Sequence, residues 1–240
     1  MKTTKNILAA ITLTTALTLN LNAEPENEKP EKVLHKITVE KLEVELQKTP
    51  RYSFTGPNVK NQHENKEWLE IEAKINIETV SKLDFLPSLD ATFYIVTKIK
   101  GKEKGKSEYI KSEKSITFKN VNIENGEAWV CAYVDPDTLR VITGDKRPKV
   151  ADITGIAVTI NSANLHKGKG NASLPYAEEI YDRSVLKKLK RNKSKNVRWW
   201  TLVPKSDHSI LSLQETPFSA IFSDRYPRAM IPQKMEFALK

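Results

Sequence analysis

The sequence predicts a mainly β protein, an antiparallel β-sandwich carrying one appended α-helix. The clearest evidence is the segment 69–77, where Leu69, Ile71 and Ala73 begin a strict alternation of apolar and polar residues. A period of two is typical of an antiparallel strand with one buried face. Two further observations agree: other short apolar segments follow one another without a βαβ rhythm, and only one segment has helical spacing.

The other strands are predicted from alternation or from short apolar runs. Alternation over 37–46 slips near Glu40 and Lys41, which indicates a β-bulge or a break between two strands. Further strands are predicted at 91–99, 116–121, 128–134, 153–160, 197–203 and 234–239. The basic, glycine-containing segment 100–106 predicts a hairpin loop, with a strand returning from Ser107. Asn125-Gly126 is a strong signal for a tight turn.

One helix is predicted over about 176–191. Apolar residues there recur near helical spacing, with Glu178 and Glu179 early and Lys187 and Lys188 late. That order of charge complements the helix dipole. Pro175 immediately precedes the segment, where a missing N–H is tolerated.

The chain divides into a signal peptide at 1–23, a charged flexible leader at 24–32 and a single sandwich domain at 33–240. Lys2 and Lys5 flank an apolar stretch over 7–21, and Ala23 is a small residue at the expected cut. No later apolar run could span a bilayer. No cysteine follows the cut, so a lipid anchor is not expected. We therefore expect an exported protein in the periplasm or at the cell surface.

The composition favours anionic partners. The formal charge is +9, and removal of residues 1–23 lowers it to +7 because Lys2 and Lys5 are lost with no acid. Outside the cytoplasm this balance favours acidic glycans, lipid headgroups or acidic proteins rather than nucleic acid. Cys131 is the only cysteine, so no intrachain disulfide can form, and it is predicted to lie in the core. Trp68 and Trp129 are predicted to be core residues as well.

The sequence predicts no enzyme: no catalytic, cofactor or metal site is expected. Histidines occur singly, and no metalloprotease, zinc, hydrolase or phosphate-loop motif is present. The segment 184–187 fits S-x-x-K, but it is better explained by solvent-facing helix residues. The segment 206–209, Ser-Asp-His-Ser, is better explained by a turn than by a triad. Asp135-Pro136-Asp137 with Asp145 could bind calcium, but nearby basic residues favour a structural turn.

A basic run closed by two tryptophans is the most distinctive surface feature. Cations interleaved with aromatic rings can hold an anionic, partly apolar ligand. The alternative is a solvated helix end with one or both tryptophans in the core. The candidate anion-binding patch consists of Lys187, Lys188, Lys190, Arg191, Lys193, Lys195, Arg198, Trp199 and Trp200.

Two short stretches resemble verrucomicrobial proteins. The first is Thr216-Pro217-Phe218-Ser219-Ala220 followed by Asp224-Arg225-Tyr226, which is similar to a segment of envelope proteins in that group. The second runs from Arg51-Tyr52-Ser53-Phe54 to Trp68-Leu69-Glu70-Ile71-Glu72 and looks like the small signal-bearing protein of the type IV pilus gene cluster. This resemblance implies an immunoglobulin-like β-sandwich without catalytic residues. Type IV pilins begin with a long apolar helix, whereas this apolar stretch is short, so an accessory role fits better.

These observations favour a non-enzymatic envelope or surface protein that acts through protein–protein contacts, accessory to a type IV pilus-like assembly. Its expected partners are envelope or pilus proteins, or further copies of the chain. Exposed sheet edges would suit β-strand addition to a partner. The alternative is a binding module for anionic glycan or lipid surfaces that uses the basic and aromatic patch.

Overall fold

The computed structural model describes residues 35–50, 66–79, 84–99, 108–123, 125–162, 174–189, 197–222 and 225–229. These residues belong to one compact unit, Val33–Lys240. The predicted signal peptide, leader and last strand lie outside the described residues. Among the described helices, none is long and apolar enough to cross a membrane.

The fold is mainly β, with two antiparallel sheets, which confirms the predicted class. The seven strands are β1 His35–Lys48, β2 Glu67–Thr79, β3 Phe85–Lys98, β4 Tyr109–Asn122, β5 Glu127–Val134, β6 Ile153–Asn161 and β7 Tyr176–Ile180. One sheet has the order β1-β2-β5 and the other the order β4-β3-β6-β7. Since β4 pairs with β3 and not with β5, the division of strands differs from that of a constant-type immunoglobulin domain. The immunoglobulin-like form therefore stays a prediction.

The inner faces of the two sheets form the main core. Ile71 and Ile75 of β2 meet Phe93 and Ile95 of β3 within one cluster of buried apolar side chains. The helix α1, Pro136–Thr143, contributes Leu139 and Ile142 to the same cluster. Burial of this kind stabilises the fold by about 25 cal/mol per Å² of apolar surface removed from water.

Several local predictions are confirmed. The phase slip near Glu40 is a β-bulge within the single strand β1, where the register shifts between Val39 and Lys41. β3 and β4 form the predicted hairpin pair, although both strands are longer than predicted. Gly126 has a φ of 72° and its N–H donates to the carbonyl of Ile123, so the predicted turn exists. This turn connects strands of different sheets.

The predicted helix over 176–191 is wrong in its first half. Residues Tyr176–Ile180 form β7, which pairs antiparallel with β6, and only Ser184–Leu189 forms the helix α2. Tyr176 and Ile180 are four apart and fit either period, so the pattern alone does not decide. The strand form is favoured here because the backbone groups along the edge of β6 need hydrogen-bond partners, which a strand supplies and a helix does not.

Two further predictions are corrected. The segment 197–203 is not a strand, because Trp199–Leu202 form a 3-10 helix. Asp135-Pro136-Asp137 is the start of α1 rather than a simple turn. The Asp135 carboxylate accepts hydrogen bonds from the N–H groups of Asp137 and Thr138, and Pro136 occupies the first turn. This is a standard N-cap with proline at the first helical position.

Candidate functional site

The outer face of the four-stranded sheet is covered by two tryptophans. Trp199 and Trp200 are each 1% exposed and pack together with Tyr109, Ala157 and Val185. The rings of the two tryptophans meet edge to face, 5.8 Å apart. The cover is therefore apolar and closely packed.

A glycine in β6 makes this packing possible. A Cβ atom at Gly155 would lie 2.7 Å from Cη2 of Trp199 and 2.9 Å from the carbonyl oxygen of Glu179. Since carbon atoms cannot approach so closely, only glycine lets the indole rest on the sheet. The Nε1 of Trp199 donates to Oε2 of Glu178 at 2.7 Å, which satisfies its one polar atom.

Five members of the predicted anion-binding patch are described, and four of them are engaged within the protein. Besides the two buried tryptophans, Lys188 donates to Glu108 at 2.6 and 2.8 Å. Arg198 donates to the carbonyl of Leu174 and stacks over the ring of Tyr176 at 4.6 Å. Lys187 is exposed. The remaining members, Lys190, Arg191, Lys193 and Lys195, lie outside the described residues, and the patch as a ligand site stays a prediction.

The two short catalytic motifs adopt structural roles. Ser184 begins α2, where its N–H donates to Asp182, and Lys187 lies on the exposed side. The hydroxyl of Ser206 donates to the carbonyl of Lys111 rather than to His208. Within the described part of the chain, no group of three or more His, Cys, Asp or Glu side chains could hold a metal ion.

The outer face of the three-stranded sheet carries a polar cluster. The Tyr133 hydroxyl donates to Oε1 of Glu70 at 2.5 Å, and the Tyr226 hydroxyl lies 2.8 Å from Oε1 of Glu72. Arg225 donates to both oxygens of Glu72, at 2.6 and 2.9 Å. Both glutamates are more than nine-tenths buried. Such burial is tolerated because each carboxylate has charge-assisted or hydroxyl partners.

Burial dominates the electrostatics of this cluster. Desolvation raises the pKa of Glu72 above its usual value, and it outweighs the opposing hydrogen bonds from Tyr226 and Arg225. Desolvation also raises the pKa of Tyr133 and of Tyr226. Cys131 is fully buried beside them, as predicted for a core residue, and burial raises the pKa of its thiol. The thiol is therefore a poor nucleophile.

Aromatic residues from the C-terminal part complete this cover. Phe218 stacks on Tyr133 at 5.1 Å and meets Trp68 edge to face at 5.8 Å. The Arg225 guanidinium lies 5.6 Å from the ring of Trp129. Trp68 and Trp129 are half-buried in this cluster rather than in the main core. Beside it, Glu43, Glu45 and Gln47 of β1 join Glu70, Glu72 and Arg225 around an open recess of about 220 Å³.

The outer strands β5, β4 and β1 differ in whether another segment of the chain pairs with them. The edge of β5 is closed by a bridge in which Tyr133 and Leu211 exchange hydrogen bonds of 2.8 and 2.7 Å. The edge of β4 is closed at two points, by Lys205 beside Lys111 and by Ala229 beside Phe118. In the described residues, no strand or bridge pairs with the outer side of β1. The 14-residue strand β1 is therefore the longest open edge in this part of the chain.

The register identifies which backbone groups lie on that open edge. The N–H of Thr49 donates to the carbonyl of Lys66, and the N–H of Ile77 donates to the carbonyl of Gly126. Because antiparallel ladders alternate, both bonds require Glu43, Glu45 and Gln47 to bond to β2. The backbone groups of Leu42, Val44, Leu46 and Lys48 consequently point away from the sheet.

Sequence reasoning missed the polar cluster. Glu70 and Glu72 occupy the polar positions of an alternating strand, which predicts exposure to solvent. No local pattern around Tyr133 or Tyr226 predicts their hydrogen bonds to the two glutamates, because these partners are far apart in the chain. The aromatic content of the segment 218–226 was the one available sign that it would cover a sheet face.

Comparisons with known proteins agree with the fold. A protein-family model matches residues 28–233 of the chain. A crystal structure of a protein from Akkermansia muciniphila has a TM-score of 0.62 and 20% sequence identity, covering 83% of this chain and 95% of that one. No curated protein sequence matches. At this identity the structural match shows the fold alone.

Proposed function

We propose that this chain, which belongs to the family whose model matches residues 28–233, is an exported, non-enzymatic envelope or surface protein that acts through protein–protein contacts. We further propose that it is accessory to a type IV pilus-like assembly. The signal-peptide pattern of residues 1–23 supports export, and the resemblance of the stretches 51–72 and 216–226 to verrucomicrobial pilus-cluster and envelope proteins supports the accessory role.

The open edge of β1 is the observation on which the proposal depends. Among the residues that the structure describes, no strand pairs with the outward backbone groups of Leu42, Val44 and Leu46, which lie along one line and form a template for an added strand. The other long outer strand, β4, is closed by bridges from Lys205 and Ala229. The bulge at Val39 and the charges of β1 discourage unselective pairing, as expected of a strand kept for a chosen partner.

The two faces of β1 define the pattern of the partner strand. Val44 and Leu46 are half-buried and pack against the main core, so a neighbouring strand should place apolar side chains beside them. On the other face, Glu43 and Glu45 border the acidic recess. Opposite charges on neighbouring strands attract, so the partner should carry Lys or Arg there. The expected partner strand alternates apolar and basic residues.

The test uses the mature chain, residues 24–240, to recover partners from its native envelope. Val44→Pro removes an outward N–H without removing a bond to β2, and proline is tolerated on strand edges. Val44→Ala is the matched control, because it shortens the same side chain but keeps the N–H. We expect a protein that co-purifies with the native chain and with Val44→Ala but not with Val44→Pro.

Two further measurements complete the test. Glu43→Lys with Glu45→Lys should also release the partner, because a basic strand would then meet like charges. Sedimentation of the purified chain reports whether a second copy occupies the edge. A chain that sediments only as a monomer and recovers no partner would contradict the proposal.

A further inference from the structure

A basic groove lies where β2 begins, beside the residues of β2 that pair with the end of β1. It has a volume of about 500 Å³ and lies between the start of β2, the helix α1 and the segment 144–149. Its lining residues are Lys66, Glu67, Pro136, Arg140, Lys146, Arg147 and Pro148. Four of these seven side chains are cationic.

Local structure brings these cations together. Arg140 lies on α1, which ends at Gly144 with a φ of 62°. A left-handed residue at this position ends the helix and lets the chain change direction directly after it. The carboxylate of Asp145 then accepts a hydrogen bond of 3.1 Å from the N–H of Arg147, which fixes the returning segment. Pro148 adds a rigid position to the same wall.

The positive charge of the groove is only partly balanced. Asp137 lies 3.1 Å from Arg140 and 3.5 Å from Lys66, and so serves two of the four cations. Glu67 is the one acid among the described lining residues. Within the described residues, Lys146 and Arg147 have no ion-pair partner. Asp145, whose carboxylate binds the N–H of Arg147, is a third acid beside the groove, so four cations against three acids leave a net charge of +1.

We propose that this groove binds a phosphate monoester, with Lys146 and Arg147 as its principal contacts and Arg140 and Lys66 beside them. A phosphate monoester carries a charge of about −1.5 to −2 at pH 7 and is therefore attracted to the net positive groove. Arginine suits the group because its planar fork donates two parallel hydrogen bonds to phosphate oxygens. None of the described lining residues is aromatic, and four of them are cationic, so these residues would recognise the charged group of the ligand.

The test measures binding of inorganic phosphate and of glucose 6-phosphate by calorimetry, in chloride buffer of matched ionic strength. Vesicles of phosphatidylcholine with and without phosphatidic acid report whether a lipid phosphate is also accepted. We expect saturable binding of at least one phosphate probe. Lys146→Ala with Arg147→Ala should weaken that binding by about tenfold or more, since charge-assisted hydrogen bonds are lost.

The control separates a site from the general positive charge of the protein. Lys36→Ala with Lys119→Ala removes the same two charges from exposed positions elsewhere. This variant should bind as the native chain does. Absence of binding to all three phosphate probes, or an equal loss in both double variants, would overturn the proposal. Because neither pair lies in the core, unchanged melting temperatures verify that the variants are folded. Phosphate binding and the recovery of a partner at β1 are measured with different variants, so a failure of one proposal is distinguishable from a failure of the other.

Discussion

The outer faces of the two sheets are covered in opposite ways. On the four-stranded sheet, Trp199 and Trp200 form a largely apolar cover that rests on Gly155. On the three-stranded sheet, the residues that arrive late in the chain are anchored by Arg225 and Tyr226 to buried carboxylates. The first cover depends on shape and the second depends on charge and hydrogen bonds.

The difference shows how one chain can bury both faces of a thin sandwich. In an apolar cover, each contact that removes apolar surface from water adds to the stability of the fold without a strict geometry, because the hydrophobic effect is not directional. A polar cover gains little unless every buried oxygen is partnered, since an unsatisfied carboxylate is costly. The tryptophan cover should therefore contribute more stability, and the tyrosine cover should respond more to pH and to single-atom changes.

The largest expected effect comes from removing the apolar cover. Trp199→Ala should lower the free energy of unfolding by about 3–5 kcal/mol, because a fully buried aromatic side chain is lost and Gly155 faces a cavity. Urea denaturation measures the change. Thr201→Ala, on the exposed side of the same 3-10 helix, is the control and should cost far less. Equal losses in both variants would show that the ring does not carry the packing.

A single hydroxyl tests the polar cover. Tyr133→Phe removes the 2.5 Å hydrogen bond to Glu70 and leaves a buried carboxylate with one fewer donor. We expect a loss of about 1–3 kcal/mol in the free energy of unfolding. Tyr94→Phe is the matched change under the tryptophan cover, where the hydroxyl lies 3.5 Å from that of Thr159. It should cost less than Tyr133→Phe, and the reverse order would contradict the comparison.

The sequence predicts the scaffold better than the covers. The alternation from Leu69 to Ile77 predicted β2 and its buried face, and the phase slip at Glu40 predicted the bulge of β1. These features depend on neighbours in sequence, which a periodic pattern records. The helix over 176–191 failed because β7 needs the edge of β6, which is a tertiary requirement.

The covers could not be predicted because their partners are distant. In sequence, Glu70 and Glu72 occupy the positions of solvent-facing residues. They are buried because Tyr226 and Arg225, respectively 156 and 153 residues later in the chain, bond to them. The basic run before Trp199 fits both a ligand-binding patch and a structural role. In the structure, its member Arg198 stacks on Tyr176 within the protein, a contact that the sequence does not indicate. Composition records which residues are present and not which surfaces they meet.

The smallest effect is a difference in pH dependence between the two faces. Burial raises the pKa of the Glu72 carboxyl above its ordinary value of 4.5, so its stabilising contribution is present below pH 4.5 and is lost as the pH rises through the folded pKa. On the four-stranded sheet, the hydrogen bond from Lys111, helped by one from Lys205, lowers the pKa of Glu113. Its contribution is present above 4.5 and is lost as pH falls.

Glu72→Gln and Glu113→Gln measure this contrast when melting temperatures are followed from acid to neutral pH. The advantage of the native chain over Glu72→Gln should shrink as pH rises above about 4.5, because folding then buries a carboxylate charge that glutamine avoids. Its advantage over Glu113→Gln should shrink as pH falls below about 4.5, because protonation ends the ion pair with Lys111. Parallel curves for the two variants would remove the electrostatic distinction between the covers and leave only the difference in packing.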